Sequence, residues 1–208
     1  MARATFVKEA KKPIYKRGKR VEYVSKRGKR AGQTLTKLDR NQPADENDEI
    51  LINVGDSYWT WCFYGGNPIY SKTKPKQSQL TQNWFKSQLY EIIEKTEEYE
   101  ANEPDDIESL KDELLSDVES LRDETQEHLD NMPEQLHESD SGQILQDRID
   151  NLDEIMSTLE NIDTDFNSEI DREDYESDEE YEDALSDEKQ EWIDGKMTEI
   201  QEAGFDFE

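Results

Sequence analysis

An α+β fold, mainly α, is expected from three features of this 208-residue sequence. Short runs of alternating β-branched and aromatic residues end near residue 77, and apolar residues then recur at about 3.6-residue spacing. The charge changes sign between these two stretches. The expected architecture is a small basic, aromatic β-hairpin or meander module over residues 1–77, whose first twelve residues could be disordered. Acidic antiparallel α-helices follow over residues 78–208, as a helical hairpin or a bundle. With 32% hydrophobic and 38% charged residues, the composition argues for several thin cores over one large one.

The charge is unevenly placed. Fourteen Lys/Arg against three acids precede residue 41, giving +11, whereas the remainder carries −39 and the whole chain −28. Residues 16–30, KRGKRVEYVSKRGKR, contain the same pentapeptide twice. Each copy sets a glycine between pairs of cations, and glycine supplies the positive φ of a tight hairpin turn. With VEYV between the copies, residues 14–36 are expected to form a meander with cationic corners at Gly18 and Gly28. A disordered basic arm is the competing expectation. Lys16, Arg17, Lys19, Arg20, Lys26, Arg27, Lys29 and Arg30 are candidate phosphate contacts, because cations on a protruding turn can neutralise successive phosphates. The same cations suit an electrostatic latch onto the chain's own acidic helices, or docking on a partner protein, and both alternatives stay open.

Residues 41–49, NQPADENDE, read as a polar connector. After them Ile50, Ile52 and Val54 alternate, Tyr58 to Tyr64 is rich in aromatics, and Ile69 and Tyr70 resume beyond GGNP. A hairpin across residues 65–68 follows. Period two places Trp59, Trp61 and Phe63 on one face, with Tyr58, Thr60, Cys62 and Tyr64 on the other. Trp59 and Trp61 beside Lys72, Lys74 and Lys76 form a candidate stacking surface for nucleic-acid bases. Equally, these rings could be the core of a small sheet packed on Trp84 and Phe85.

From Ser78 the period lengthens. Leu80, Trp84, Phe85, Leu89, Ile92 and Ile93 mark a first helix, with Ser78 or Thr81 as N-cap. Ile107, Leu110, Leu114, Val118, Leu121 and Leu129 mark a second, begun by Asp105 or Asp106 and ended by Asn131 before Met132-Pro133. A third runs from about Ser139 to Ile162 through Ile144, Leu145, Ile149, Leu152, Ile155, Met156 and Leu159. The connector between the second and third is short enough for them to fold back antiparallel. A fourth starts at Ser177, where SDEE has capping-box spacing, and carries Tyr181, Leu185, Trp192, Ile193, Met197 and Ile200. Gly204 should stop it, with Phe205 and Phe207 tucking back.

Over residues 50–160 the stretches GDSYWTWCFYGGNPIYSKTKPKQSQLTQNWF and NMPEQLHESDSGQILQDRIDNLDEI resemble a group of phage and prophage-encoded proteins of uncharacterised function. In that group a basic, aromatic strand segment ending in an SKT-P--SQLT-like run precedes acidic helices with an NMP turn. The resemblance implies no activity and no catalytic residues. At Cys62-Phe63-Tyr64 this sequence departs from it, since a cation is expected there.

The function classes narrow accordingly. A single cysteine, Cys62, leaves no internal disulfide, and with only His128 and His137 beside it there is no zinc-ligand set. No Gly-rich phosphate loop or nucleophile elbow is present, so no catalytic residue, metal or cofactor is expected. No apolar run suits a signal peptide or a membrane span, so a soluble protein of the cytoplasm, the host's if phage-encoded, is expected. The acidic run DREDYESDEEYEDALSDEKQE lacks EF-hand spacing. It suits a solvated helix face or a mimic of the DNA backbone. The expected function is non-enzymatic: a basic β module contacting nucleic acid, and acidic helices contacting a basic host or phage protein. The alternatives are an assembly protein forming homo-oligomers, its basic arm docked on a neighbouring chain, and an inhibitor of a DNA-binding enzyme.

Overall fold

The computed structural model describes residues 1–26, 30–64 and 66–205. The chain divides into two compact units, Met1–Asn83 and Trp84–Glu208. It is α+β and mainly α: the strands lie in the first unit and the α-helices in the second.

In the first unit the strands are β1 (Thr5–Val7), β2 (Ile14–Tyr15), β3 (Lys19–Val24), β4 (Thr34–Asp39), β5 (Ile50–Ile52), β6 (Tyr58–Trp61) and β7 (Ile69–Ser71). They pair antiparallel in three small sheets, β1-β6-β7, β2-β5 and β3-β4. The hairpin read from the aromatic run is there, with Trp59 opposite Ser71 and Trp61 opposite Ile69. The core is thin. Ala10, Ile14 and Ile52 are buried, with Leu51, Tyr58 and Tyr70 packed around them.

Two expectations for this unit are corrected. Residues 1–12 are not a loose arm: β1 pairs with β6, Phe6 opposite Trp59, and the Ala2 N–H donates to the Leu80 carbonyl at 2.6 Å. Nor does a meander turn at Gly18. Strand β2 does not pair with β3 but with β5, Ile14 opposite Ile52. The burial of Ile14 and Ile52 favours that distant pairing over a local hairpin, which would leave both aliphatic side chains without a core. The expected corner at Gly28 lies outside the described residues.

The second unit holds α1 (Trp84–Glu98), α2 (Pro104–Asp130), α3 (Asp140–Glu160) and α4 (Asp178–Gln201). Helix α2 packs against the other three, and its apolar stripe, Ile107, Leu110, Leu114, Val118 and Leu121, is fully buried. Polar contacts fix the antiparallel order. Lys95 of α1 reaches Asp117 of α2 at 2.6 Å, and Lys111 of α2 donates to the Glu160 and Ile162 carbonyls at the end of α3. There it satisfies carbonyls the helix leaves unpaired and offsets the negative end of its dipole.

The helix ends follow capping chemistry. Glu103 and Asp106 form a reciprocal capping box, the Ser139 hydroxyl accepts from the Gly142 N–H, and the Ser177 hydroxyl accepts from the Glu180 N–H. Asn131 closes α2, and Gly204 follows α4 with a φ of 96°. Phe205 is buried in the helical core, whereas Phe207 lies outside the described residues.

The first helix begins later than its spacing implies. Residues 78–80 form one 3-10 turn, and the Thr81 hydroxyl accepts from the Asn83 N–H at 3.2 Å, an alternative to the helical bond that holds Thr81 extended. Leu80 is therefore off the helix. Ile144 is 49% exposed, not part of the buried stripe, because five residues before Ile149 is a rotation of about 140° around the axis.

This unit carries 45 acids against eight cations, a net −37, and still folds as four helices among the described residues. Burying a large aliphatic side chain contributes about 1.5–3 kcal/mol, whereas a like-charge i,i+4 pair costs only about 0.2–0.5 kcal/mol. Repulsion should therefore tax the fold without breaking it. Raising the ionic strength from 0.01 M to 1 M shortens the screening length from about 30 Å to about 3 Å. The melting midpoint followed at 222 nm is expected to rise by several degrees over that range. A midpoint that falls with salt would mean that the ion pairs, not the repulsion, dominate.

Candidate nucleic-acid interface

The two KRGKR copies meet different fates. The chain at the first copy lies between two other segments, as the Tyr15 N–H donates to the Arg40 carbonyl, Lys16 to Glu49 and Lys19 to Gln42. Gly18 has a φ of 72°, and a Cβ there would stand 2.9 Å from the Arg40 Cα, so the crossing suits glycine alone.

Asp48 pins this crossing. Its side chain is fully buried and accepts the N–H groups of Arg17 at 3.0 Å, Gly18 at 2.8 Å and Ala44 at 2.8 Å. Burial alone would push the carboxyl up. The N–H groups of Ala44, Arg17 and Gly18, with the Arg17 guanidinium beside them, instead hold it at about 2. The cations of the first copy are taken up in the same way. Arg17 meets Asp45 at 2.6 Å, and Lys16 meets Glu49 at 2.8 Å. Lys16 is thereby raised and Glu49 lowered by their mutual hydrogen bond. Lys16 and Arg17 remain solvent-accessible, but their charge is answered by the chain's own carboxylates. At these two positions a phosphate would have to compete with those carboxylates.

Beyond Gly18 the chain enters a two-stranded ribbon. Strands β3 and β4 pair over six positions, from Lys19 opposite Asp39 to Val24 opposite Thr34. The Ser25 N–H continues the ladder to the Gln33 carbonyl at 2.9 Å. Lys26 and Arg30 of the second KRGKR copy follow past this end. Both are exposed, and Arg27 and Lys29 lie outside the described residues. Lys19 and Arg20 are exposed on β3, and among the described residues no ion pair holds Lys19, Arg20, Lys26 or Arg30. Lys37, not singled out from sequence, shares a face with Tyr23, its ammonium 5.8 Å from the ring centroid. The alternation in residues 34–38, Thr-Leu-Thr-Lys-Leu, is the signal for it.

The aromatic candidates separate. The register puts Trp59 and Trp61 on one face, as expected from period two. Trp61 is only 6% exposed, so its faces are closed to base stacking, whereas Trp59 is half-buried against Phe6, ring centroids 5.2 Å apart. Lys72 approaches Asp56 at 3.9 Å, Lys74 is exposed, and Lys76 is exposed with its backbone N–H bonded to Gln79. These three follow β7 and are not part of the ribbon.

Elsewhere the chemistry is sparse. His128 lies against the Trp84 ring at 4.4 Å, the His137 ring lies 2.9 Å from the Met132 carbonyl, and Cys62 is an exposed free thiol. Among the described residues no helix is long and apolar enough to cross a membrane. No family model, no curated protein and no solved structure matches the chain.

Proposed function

We propose that this chain is a non-enzymatic, phage-type binding protein. Its basic β unit contacts nucleic acid, and its acidic helical unit contacts a basic protein surface or imitates the DNA backbone. The observation that carries this reading is that the two structural units carry opposite net charge. Met1–Asn83 holds 17 cations against eight acids, while Trp84–Glu208 is at −37. A unit of +9 with a thin core and exposed Phe6, Tyr23, Val24, Ile50, Val54, Tyr64 and Ile69 presents apolar and cationic surface together, the combination that nucleic-acid-binding surfaces use. In the ribbon, Lys19, Arg20, Lys26 and Arg30 supply the phosphate contacts. Lys16 and Arg17 hold the fold at its base.

Fluorescence anisotropy of the full chain with labelled oligonucleotides over a range of salt tests this. Each phosphate neutralised contributes roughly 0.7–0.9 to the slope of log K against log salt. Replacing Lys19, Arg20, Lys26 and Arg30 by alanine is therefore expected to flatten the slope by about 3 and to weaken binding at low salt by more than tenfold. Lys16→Ala should change the slope by well under one. Unaltered affinity in the fourfold variant would refute the assignment.

A further inference from the structure

We infer that the β3–β4 ribbon is a reader of double-stranded DNA that lies in the major groove, with Glu22, Val24, Thr34, Thr36 and Leu38 of one face turned toward the base edges and Arg20, near the end of that face, toward a phosphate. The inference deepens the proposed nucleic-acid contact and rests on it.

Three observations point to a duplex. The first is shape. A ribbon with no third strand among the described residues is about as wide as one strand spacing plus side chains, and six residue pairs extend it to about 20 Å. The B-form major groove, about 12 Å wide, admits such a ribbon, whereas the A-form groove of duplex RNA is too narrow for side chains to read.

The second is the asymmetry of the two faces. Residues opposite one another share a face, so Lys19, Val21, Tyr23, Leu35, Lys37 and Asp39 form one side. There Val21, Leu35 and Asp39 are half-buried. On the other side only Leu38 is half-buried, and Arg20, Glu22, Thr34, Thr36 and Val24, the last 55% exposed, stand open. A strand face that carries Val24 in the open leaves apolar surface for a ligand to cover.

The third is the residue chemistry of that open face. Threonine bonds either donors or acceptors, and an aliphatic side chain meets the thymine methyl. Glu22, the one acid on this face, is an acceptor for the cytosine N4 amino group, which would otherwise be an unexplained negative charge on a polyanion-binding surface. Among the described residues of the ribbon and its loop, Lys19, Arg20, Lys26, Arg30 and Lys37 stand against Glu22 and Asp39, so the phosphates on either wall of the groove meet an excess of cations. A single strand offers no groove and would favour stacking platforms. Trp61 is buried and Trp59 is packed on Phe6, so the aromatic sheet is poorly placed to supply them.

Anisotropy of the full chain with a 20-base-pair DNA duplex, its separated strands and the RNA duplex of the same sequence, at equal salt, tests this directly. The DNA duplex is expected to bind at least tenfold more tightly than the others. Pre-saturation with the major-groove ligand methyl green should abolish that preference, and netropsin in the minor groove should not. A double Thr34→Glu, Thr36→Glu variant, whose fold is checked by circular dichroism, should lose duplex binding more than tenfold. A Gln79→Glu variant, adding a charge away from the ribbon, should lose less than threefold. Equal or tighter binding of single strands or duplex RNA, or indifference to methyl green, would overturn the groove assignment and leave the nucleic-acid reading standing. Failure to bind any of the three would overturn both.

Discussion

Replacing Asp48 with alanine is expected to lower the melting midpoint of the β unit by roughly 10 °C, because three backbone N–H groups lose their acceptor at once, that of Gly18 in a buried position. The Arg17, Gly18 and Ala44 amides bond that one carboxylate, at distances of 2.8–3.0 Å. Their hydrogen-exchange protection should vanish in the variant, while the amides of the helical unit keep theirs. Asp48→Asn should be milder but not neutral, since its amide group sets a donor against donors. The native residue gives the same answer through pH. Its folded-state value of about 2 lies below the ordinary 3.8, so its stabilisation is complete above about pH 4 and is lost as the pH falls through that interval. Retained protection at Arg17 and Gly18 in the alanine variant would show that the crossing is held by its neighbours instead.

Gly142→Ala should destabilise the helical unit by about 2 kcal/mol or more, although alanine is the better helix former by about 1 kcal/mol. The added Cβ would overlap the His137 carbonyl oxygen and lie 2.7 Å from that of Leu136, both backbone atoms of the turn that leads into α3. That turn cannot recede cheaply. It is tied by the Ser139 N–H and hydroxyl, both donating to the Leu136 carbonyl, and by the hydroxyl accepting from Gly142 itself. Gly195 in α4 makes the opposite case. Nothing lies within 4 Å of a Cβ there, so Gly195→Ala should stabilise by about 0.5–1 kcal/mol. Thermal melts of the two variants at 222 nm should therefore move in opposite directions, and melts that move together would show that packing at Gly142 is not what decides its effect.

What could be read from the sequence was what is local. The start of α3 near Ser139, the cap at Ser177, Asn131 before Met132-Pro133, the stripe of α2 and the β6–β7 hairpin each depend on residues a few positions apart. The partner of β2 depends on residues 35 to 38 positions away and has no local signature. For the same reason two identical pentapeptides could not be told apart. What separates them is Asp48, thirty residues beyond Gly18, which reads in the sequence only as one acid in a polar connector. Lys37 and β4 were legible as alternation, but threonine and lysine at alternate positions resemble a connector until a strand lies beside them. Ser78 shows the converse: a good capping residue whose helix does not start, because Thr81 captures the backbone a few residues later.

With no third strand among the described residues, the β3–β4 pair has two raw margins, each a row of hydrogen-bonding groups to which a sister molecule could stitch itself. Here those margins bear Lys19, Arg20 and Lys37, and two such ribbons approaching one another meet like charge first. Immersed in a polyanion, the guard is cancelled. Neighbouring molecules on one thread would then be free to come edge to edge, so the charges that oppose strand-to-strand pairing in solution are ones whose neutralisation would let the ribbons crowd.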